Sequence, residues 1–272
     1  MLNARRAFSY FDKRDGDALE EVKINEFEKV DLKGGTIIAG FPSIGLVSTI
    51  AANYIIDSMG LKQIGDMSSP YFPTLSVVHD AEPLSPVRIY ANEKTGKEKI
   101  IVFVSEFRPK PNLITPLANV IMDWAIEKSC RLIISPEGMV VEGEAEEGSV
   151  ASAYAIASTL KAKEILIGAN IPQFKNGIIA GVSGVLLNKG KRENFDVISI
   201  LAEAHPNYPD ARAAAAAIEV ITKLLEIEID VAPLYKEAER IEKQLQVLQK
   251  QARPVVSPSS QKKIIKTLFS FF

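Results

Sequence analysis

The chain has 272 residues, 47% of them hydrophobic and 24% charged, which suffices for one substantial core or one domain with an appendage. Its 32 basic and 34 acidic residues give a net charge of -2, which argues against the basic stripe of a nucleic-acid surface. The single cysteine, Cys130, excludes an intrachain disulfide framework, fits a reducing compartment, and reads as a small buried core residue. Residues 1–14 are polar and mixed in charge, unlike a signal peptide, and no run reaches the roughly 18 apolar residues of a membrane span. A cytoplasmic protein without a membrane partner is expected.

Apolar runs and helical patterns alternate from about residue 34 to residue 228. Gly34-Gly35 precede the β-rich run Thr36–Gly40, and Gly40-Phe41-Pro42-Ser43-Ile44-Gly45 turns the chain into a helix over Leu46–Met59. Pro73–His79 and Val87–Ala91 read as two antiparallel strands joined by a loop, and Ile100–Val104 as a buried strand. Thr115 caps a predicted helix over Pro116–Lys128. Arg131–Ser135 is the next buried strand and ends in Pro136-Glu137-Gly138. An acidic stretch with Glu142, Glu144, Glu146 and Glu147 follows. The pattern then predicts a helix over Ser149–Lys161, strands over Glu164–Gly168 and Gly177–Gly181, a short helix over Val182–Asn188, and a strand over Asp196–Ala202. Asp210–Ile227 is a helix with six alanines before Ile218. Strands alternating with helices imply a mostly parallel or mixed sheet covered on both faces.

The last 40 residues read differently. Leu234, Ala238, Ile241, Leu245 and Leu248 step by four, three, four and three, a coiled-coil-like seam too short to stand alone. It must meet the core or another subunit, and it is our candidate oligomer interface. Residues 252–261 read as a linker, and residues 262–272 end in Leu268-Phe269-Ser270-Phe271-Phe272. The expected organisation is a core over 1–231, a helix over 232–252, and a linker and hydrophobic tail over 253–272.

The catalytic inventory is thin. Two histidines and one cysteine cannot form a His/Cys zinc cluster without carboxylates. Ser183 lies in Ala180-Gly181-Val182-Ser183-Gly184-Val185, whose glycines have the wrong spacing for a nucleophile elbow. The Gly40–Gly45 turn sits where phosphates dock on helix N-termini, but Pro42 removes an N–H and no lysine follows. We read it as a tight turn, with Ser43 capping the helix and Gly45 allowing close helix–sheet contact. His205, before Pro206, is read as fixing a loop, the acidic run as solvated rather than metal-binding, and Arg108 and Lys110 as capping the sheet edge. The terminal phenylalanines are costly to leave in water. Burying two of them at about 25 cal/mol/Å² gains roughly 7–12 kcal/mol gross, before about 1–2 kcal/mol for each residue ordered.

Gly40-Phe41-Pro42-Ser43-Ile44-Gly45-Leu46-Val47, Ser105-Glu106, Pro136-Glu137-Gly138 and Gly177-Ile178-Ile179-Ala180-Gly181-Val182-Ser183-Gly184 resemble, in that order, the proteasome assembly chaperone family. Its archaeal homologues were once grouped loosely with ATP-grasp proteins. The resemblance implies a three-layer α/β sandwich with a phosphorylase/hydrolase-like sheet, assembled into oligomers, with no established catalytic centre and no cofactor. It also implies that a C-terminal hydrophobic–Tyr–any tripeptide enters pockets between proteasome α subunits. Here Phe271 matches the penultimate aromatic, Ser270 replaces the hydrophobic residue, Leu268 or Phe269 would supply the apolar contact, and the Phe272 carboxylate would meet a lysine. The expected function is that of a homo-oligomeric chaperone-like protein, not an enzyme, binding proteasome α subunits through this tail. The alternative is a small-molecule or nucleotide-binding enzyme on the same scaffold, with a pocket at Ser43, Glu106 and Glu137. A third reading is a scaffold that pairs with a paralogous chaperone subunit and never touches a proteasome.

Overall fold

The computed structural model describes residues 22–92, 98–140 and 151–252, the side chains of 242 and 245–252 excepted. In chain order the elements are β1 (Lys23–Glu26), β2 (Thr36–Gly40), α1 (Val47–Met59), β3 (Lys62–Ser68), β4 (Val77–His79), β5 (Glu82–Leu84), β6 (Val87–Ala91) and β7 (Ile100–Ser105). There follow α2 (Pro111–Glu127), β8 (Leu132–Val140), β9 (Ala153–Ala157), α3 (Leu160–Gly168), α4 (Gly181–Glu193), β10 (Val197–Ala204), α5 (Ala211–Leu225) and α6 (Ala232–Ala252).

Eight strands form one sheet in the order β1-β3-β6-β7-β2-β8-β10-β9. The central strands β7, β2, β8 and β10 run parallel. β6, β3 and β1 on one flank and β9 on the other are antiparallel. The sheet is therefore mixed, with its parallel pairing confined to the centre. Successive side chains of a strand point to opposite faces, so continuous apolar runs belong to strands buried on both sides. Ile38, Val102, Ile134 and Ile198 pack into a layer with α1, α3, α5 and α6. Their neighbours Ile37, Ile101, Phe103, Ile133 and Val197 pack against α2 and α4. The result is a three-layer α/β sandwich. α5 lies against β10, α1 and α6, and the small side chains of Ala213–Ala217, all buried, allow that approach.

Several local expectations are corrected. Pro73–His79 does not pair with Val87–Ala91. Val77–His79 forms a separate hairpin with Glu82–Leu84, and β6 lies between β7 and β3, which the pattern had not revealed. α2 begins at Pro111, so Thr115 is no cap and Pro116 lies inside the helix. Close to the helix start, Pro116 forgoes a single backbone bond. β8 runs straight through Pro136-Glu137-Gly138. Within Ser149–Lys161 the chain forms β9, Glu164–Gly168 belongs to α3, and 177–180 is neither helix nor strand. Among the described residues no helix is long and apolar enough to cross a membrane.

Leu234 and Ala238 are buried in the chain's own core, and Ile241 is half-buried. The start of the seam is thus covered within the subunit, against α5. The Leu245 and Leu248 side chains, the acidic run Glu142–Glu147 and the tail Leu268–Phe272 lie outside the described residues.

Candidate functional site

The parallel strands β2, β7, β8 and β10 end on one side of the sheet, and the crevice beyond such ends is where open α/β sheets place their ligands. The turn after β2 arrives there with Gly45 and Leu46 both left-handed, at φ 60° and 53°. A Cβ on Gly45 would lie 3.0 Å from His205 O and 3.1 Å from Asp210 Cβ, and Asp210 gives its N–H to Gly45 O at 2.8 Å. Gly45 therefore seats the turn on the β10–α5 loop. The close helix–sheet approach expected there occurs at Gly40, where a Cβ would be 2.3 Å from Ala52 Cβ.

Ser43 is buried in this turn. Leu46 holds the N-cap position of α1, yet Ser43 Oγ accepts the N–H of Ser48 (3.3 Å) and of Gly138 (3.2 Å), and lies 2.8 Å from Ser48 Oγ. The Ser48 hydroxyl also donates to the Pro136 carbonyl. Ser43 thus stitches the β2–α1 turn to β8. The approach is so close that a Cβ on Gly138 would fall 2.0 Å from Ile44 O.

Glu137 stands beside this seam. Its Oε1 accepts from the Ser183 hydroxyl at the start of α4, which bonds in turn to the Ser135 hydroxyl. Burial pushes the Glu137 carboxyl up to about 7, against the lowering pull of Ser183 and of the Arg108 guanidinium. Arg108 donates to the Ser43 carbonyl at 3.3 Å. Its loop is therefore pinned over the turn.

Glu106 sits at the same end of the sheet with a different partner, buried Arg88, whose Nη2 is 2.5 Å from Glu106 Oε1. Arg88 also donates to Ser85 O (3.1 Å) and Tyr90 Oη (3.0 Å). Of the three residues predicted for a pocket, Ser43 is held by Ser48 and Gly138, Glu137 by Ser183, and Glu106 by Arg88, with Arg108 bonded to the Ser43 carbonyl and acting on the Glu137 carboxyl. Sequence reading missed Arg88, Ser48 and Ser135. An arginine inside the apolar strand Val-Arg-Ile-Tyr-Ala was the available signal, since a buried guanidinium requires a partner.

His205 is fixed as expected of a loop residue. Its Nδ1 is 2.8 Å from Asp210 Oδ2, its N–H donates to the same oxygen at 2.9 Å, and its ring stacks on Tyr208 at 4.8 Å. Asp210 also caps α5 by accepting the Ala213 N–H at 2.9 Å. Burial drives the Cys130 thiol up to about 11, as befits a core residue. Among the described residues no three His, Cys, Asp or Glu side chains cluster as a metal site.

Residues 37–249, β2 through most of α6, match the PAC2 family over most of the chain. The chain belongs to the PAC2 family. An uncharacterized protein of Methanocaldococcus jannaschii is 30% identical over 241 residues, 89% of this chain and 96% of that one. Pyrococcus furiosus PbaA, an archaeal homolog of proteasome-assembly chaperone, has a TM-score of 0.72 at 30% identity, covering 84% of this chain and 97% of its own. Pyrococcus furiosus PbaB, an archaeal proteasome activator, has a TM-score of 0.74 at 25% identity, covering 85% and 100%. The PAC2 match ends within α6, so Leu268, Phe269, Ser270, Phe271 and Phe272 lie beyond it.

Proposed function

We propose that this PAC2 protein is a homo-oligomeric, chaperone-like binder of proteasome α subunits that engages them through Leu268, Phe269, Ser270, Phe271 and Phe272. The observation that carries the reading is its likeness, along nearly the whole of both partners, to a proteasome-assembly chaperone homolog and a proteasome activator. The strand-end network supports it from the other side. Ser43, Glu106 and Glu137 are each engaged by the chain's own groups, which suits a scaffold. The core would present the tail, several copies would multiply a weak contact, and Ile241, Leu245 and Leu248 would extend the interface between copies. The test mixes archaeal proteasome core particles or free α subunits with the full chain and with a chain ending at Gln261, read by native mass spectrometry. The full chain should bind and the shortened one should lose about tenfold or more in affinity, roughly 1.4 kcal/mol. Equal binding by both would remove the tail from the mechanism.

One observation favours a second reading, a small-molecule site at the strand ends. Glu137, with a carboxyl poised near neutrality, shares that crevice with Arg108 and the first turn of α4. A thermal-shift screen with nucleotides and nucleosides separates the two. Saturation by one ligand at about a hundred times its Kd would add about 2.7 kcal/mol of stability, and a flat screen would discard the reading.

A further inference from the structure

β4 and β5 pair only with each other, so residues 69–86 form an arm between β3 and β6 rather than part of the main sheet. Its two roots are tied to the body by Phe72, stacked on Phe107 at 5.0 Å, and by Ser85, whose hydroxyl donates to Asp66. Between them, residues 73–84 are exposed except for Val77 and Leu84, which stand opposite each other and are half-buried. Side chains alternate along a strand, so the other face of the hairpin carries Val78 beside Pro83, and Val78 is 70% exposed. The tip turns through Asp80 and Ala81, both left-handed, at φ 50° and 65°. Such a two-residue turn favours glycine, asparagine or aspartate, and Ala81 adopts it at a steric cost. A two-stranded hairpin is marginal in water unless a further strand or a helix covers it. An arm with a bare apolar face and a strained tip therefore calls for a covering element.

α3 is bare in the complementary way. Ala162 and Leu166 face the core, while Leu160 and Ile167, 81% and 54% exposed, lie within about 20° of each other on the outward side. The start of the helix holds Lys161 and Lys163, with no acidic residue in the first turn, and the positive end of the helix dipole adds to them. Lys161 is bonded to Asp196 at 2.8 Å, and Lys163 has no ion-pair partner among the described residues. Glu164, the one acidic residue of the helix, lies about 100° round the axis from Lys163, on the other flank of the apolar pair. The charged groups of the arm are Asp80 and Glu82, with His79 against Asp80 at 3.4 Å. The two surfaces also stand at opposite edges of the sheet. The arm is rooted in β3 and β6, and α3 follows β9 at the far side.

We propose that the arm of one copy packs on α3 of the next, with Val78 and Pro83 on Leu160 and Ile167 and with Asp80 beside Lys163. The inference rests on the homo-oligomer of the proposed function and specifies how its copies meet. The contact is heterologous. Each copy gives an arm at one edge and a helix at the other, so an open string keeps one of each unused and grows until it closes on itself.

The test is native mass spectrometry and sedimentation of the full chain and of Val78→Glu, Leu160→Glu, Asp80→Lys and Lys163→Glu, with circular dichroism to confirm that each is folded. All four side chains are exposed, and each substitution should weaken self-association by about tenfold or more. An equimolar mixture of Val78→Glu and Leu160→Glu should give a one-to-one dimer and nothing larger, since the first keeps its helix and the second its arm. Asp80→Lys and Lys163→Glu placed together in one chain should restore the parent oligomer, because opposite charges meet again. A full chain that stays monomeric would refute the homo-oligomer itself. An oligomer that survives both Val78→Glu and Leu160→Glu, or loss of the oligomer with no dimer on mixing, would leave the homo-oligomer standing and overturn this contact.

Discussion

Glu137→Gln should flatten the dependence of stability on pH between about 5 and 8. Burial raises this carboxyl from 4.5 to about 7 in the folded protein. Between those values the folded chain holds a proton that the unfolded chain has released, so stability falls as pH rises through the window and stays lowered above it. The gap, at about 1.36 kcal/mol per pH unit, places the loss at about 3 kcal/mol by pH 8. Glutamine carries no charge to bury, and its carbonyl can still accept from Ser183. Urea unfolding at the two ends of the window reads the difference. The variant should gain about 2–3 kcal/mol over the parent at the alkaline end and stay within about 1 kcal/mol of it at the acid end. Parallel pH profiles for the two proteins would refute the reasoning, because the charge buried on β8 would then cost nothing.

Gly138→Ala should destabilise by about 3 kcal/mol or more in the same assay, because the new methyl would fall 2.0 Å from the Ile44 carbonyl oxygen, a backbone atom. A loss under about 1 kcal/mol would show that β8 and the β2–α1 turn can part cheaply. Arg88→Met should cost about 2–4 kcal/mol, at the lower end of a broken buried pair because Glu106 keeps 30% of its side chain exposed. Adding Glu106→Gln should recover part of that loss, as a double-mutant cycle would measure.

The centre of the fold was legible because β2, β7, β8 and β10 are apolar on both faces, and such runs admit few other readings. The periphery was not. β3 reads Lys-Gln-Ile-Gly-Asp-Met-Ser, and an irregularity between Gln63 and Gly65 breaks the alternation that would have exposed it. β9 is Ala-Tyr-Ala-Ile-Ala, whose alanines mimic a helix. α3 buries only Ala162 and Leu166 while Leu160 is 81% exposed and Ile167 54%, so its apolar residues do not form a helical stripe and look like a strand. In the candidate site, the sequence pointed to Ser43, Glu106 and Glu137, while Ser183 was considered only as a nucleophile and set aside on its glycine spacing. Which carboxylate would meet which partner depended on strand order, and Arg88 reaches Glu106 only because β6 lies beside β7.

The packing of α6 has a mechanical consequence. Ala238 is buried against the body of the subunit and the helix continues to Ala252, which at about 1.5 Å per residue is a further 21 Å or so. The far end of α6 is thus the tip of a boom whose aim is set at its root by Leu234 and Ala238. A bulkier side chain at the root that tilts the axis by about 10°, well inside the usual scatter of helix crossings, would swing the far end by about 4 Å. Two contacts deep in the subunit therefore decide where the far end of α6 stands.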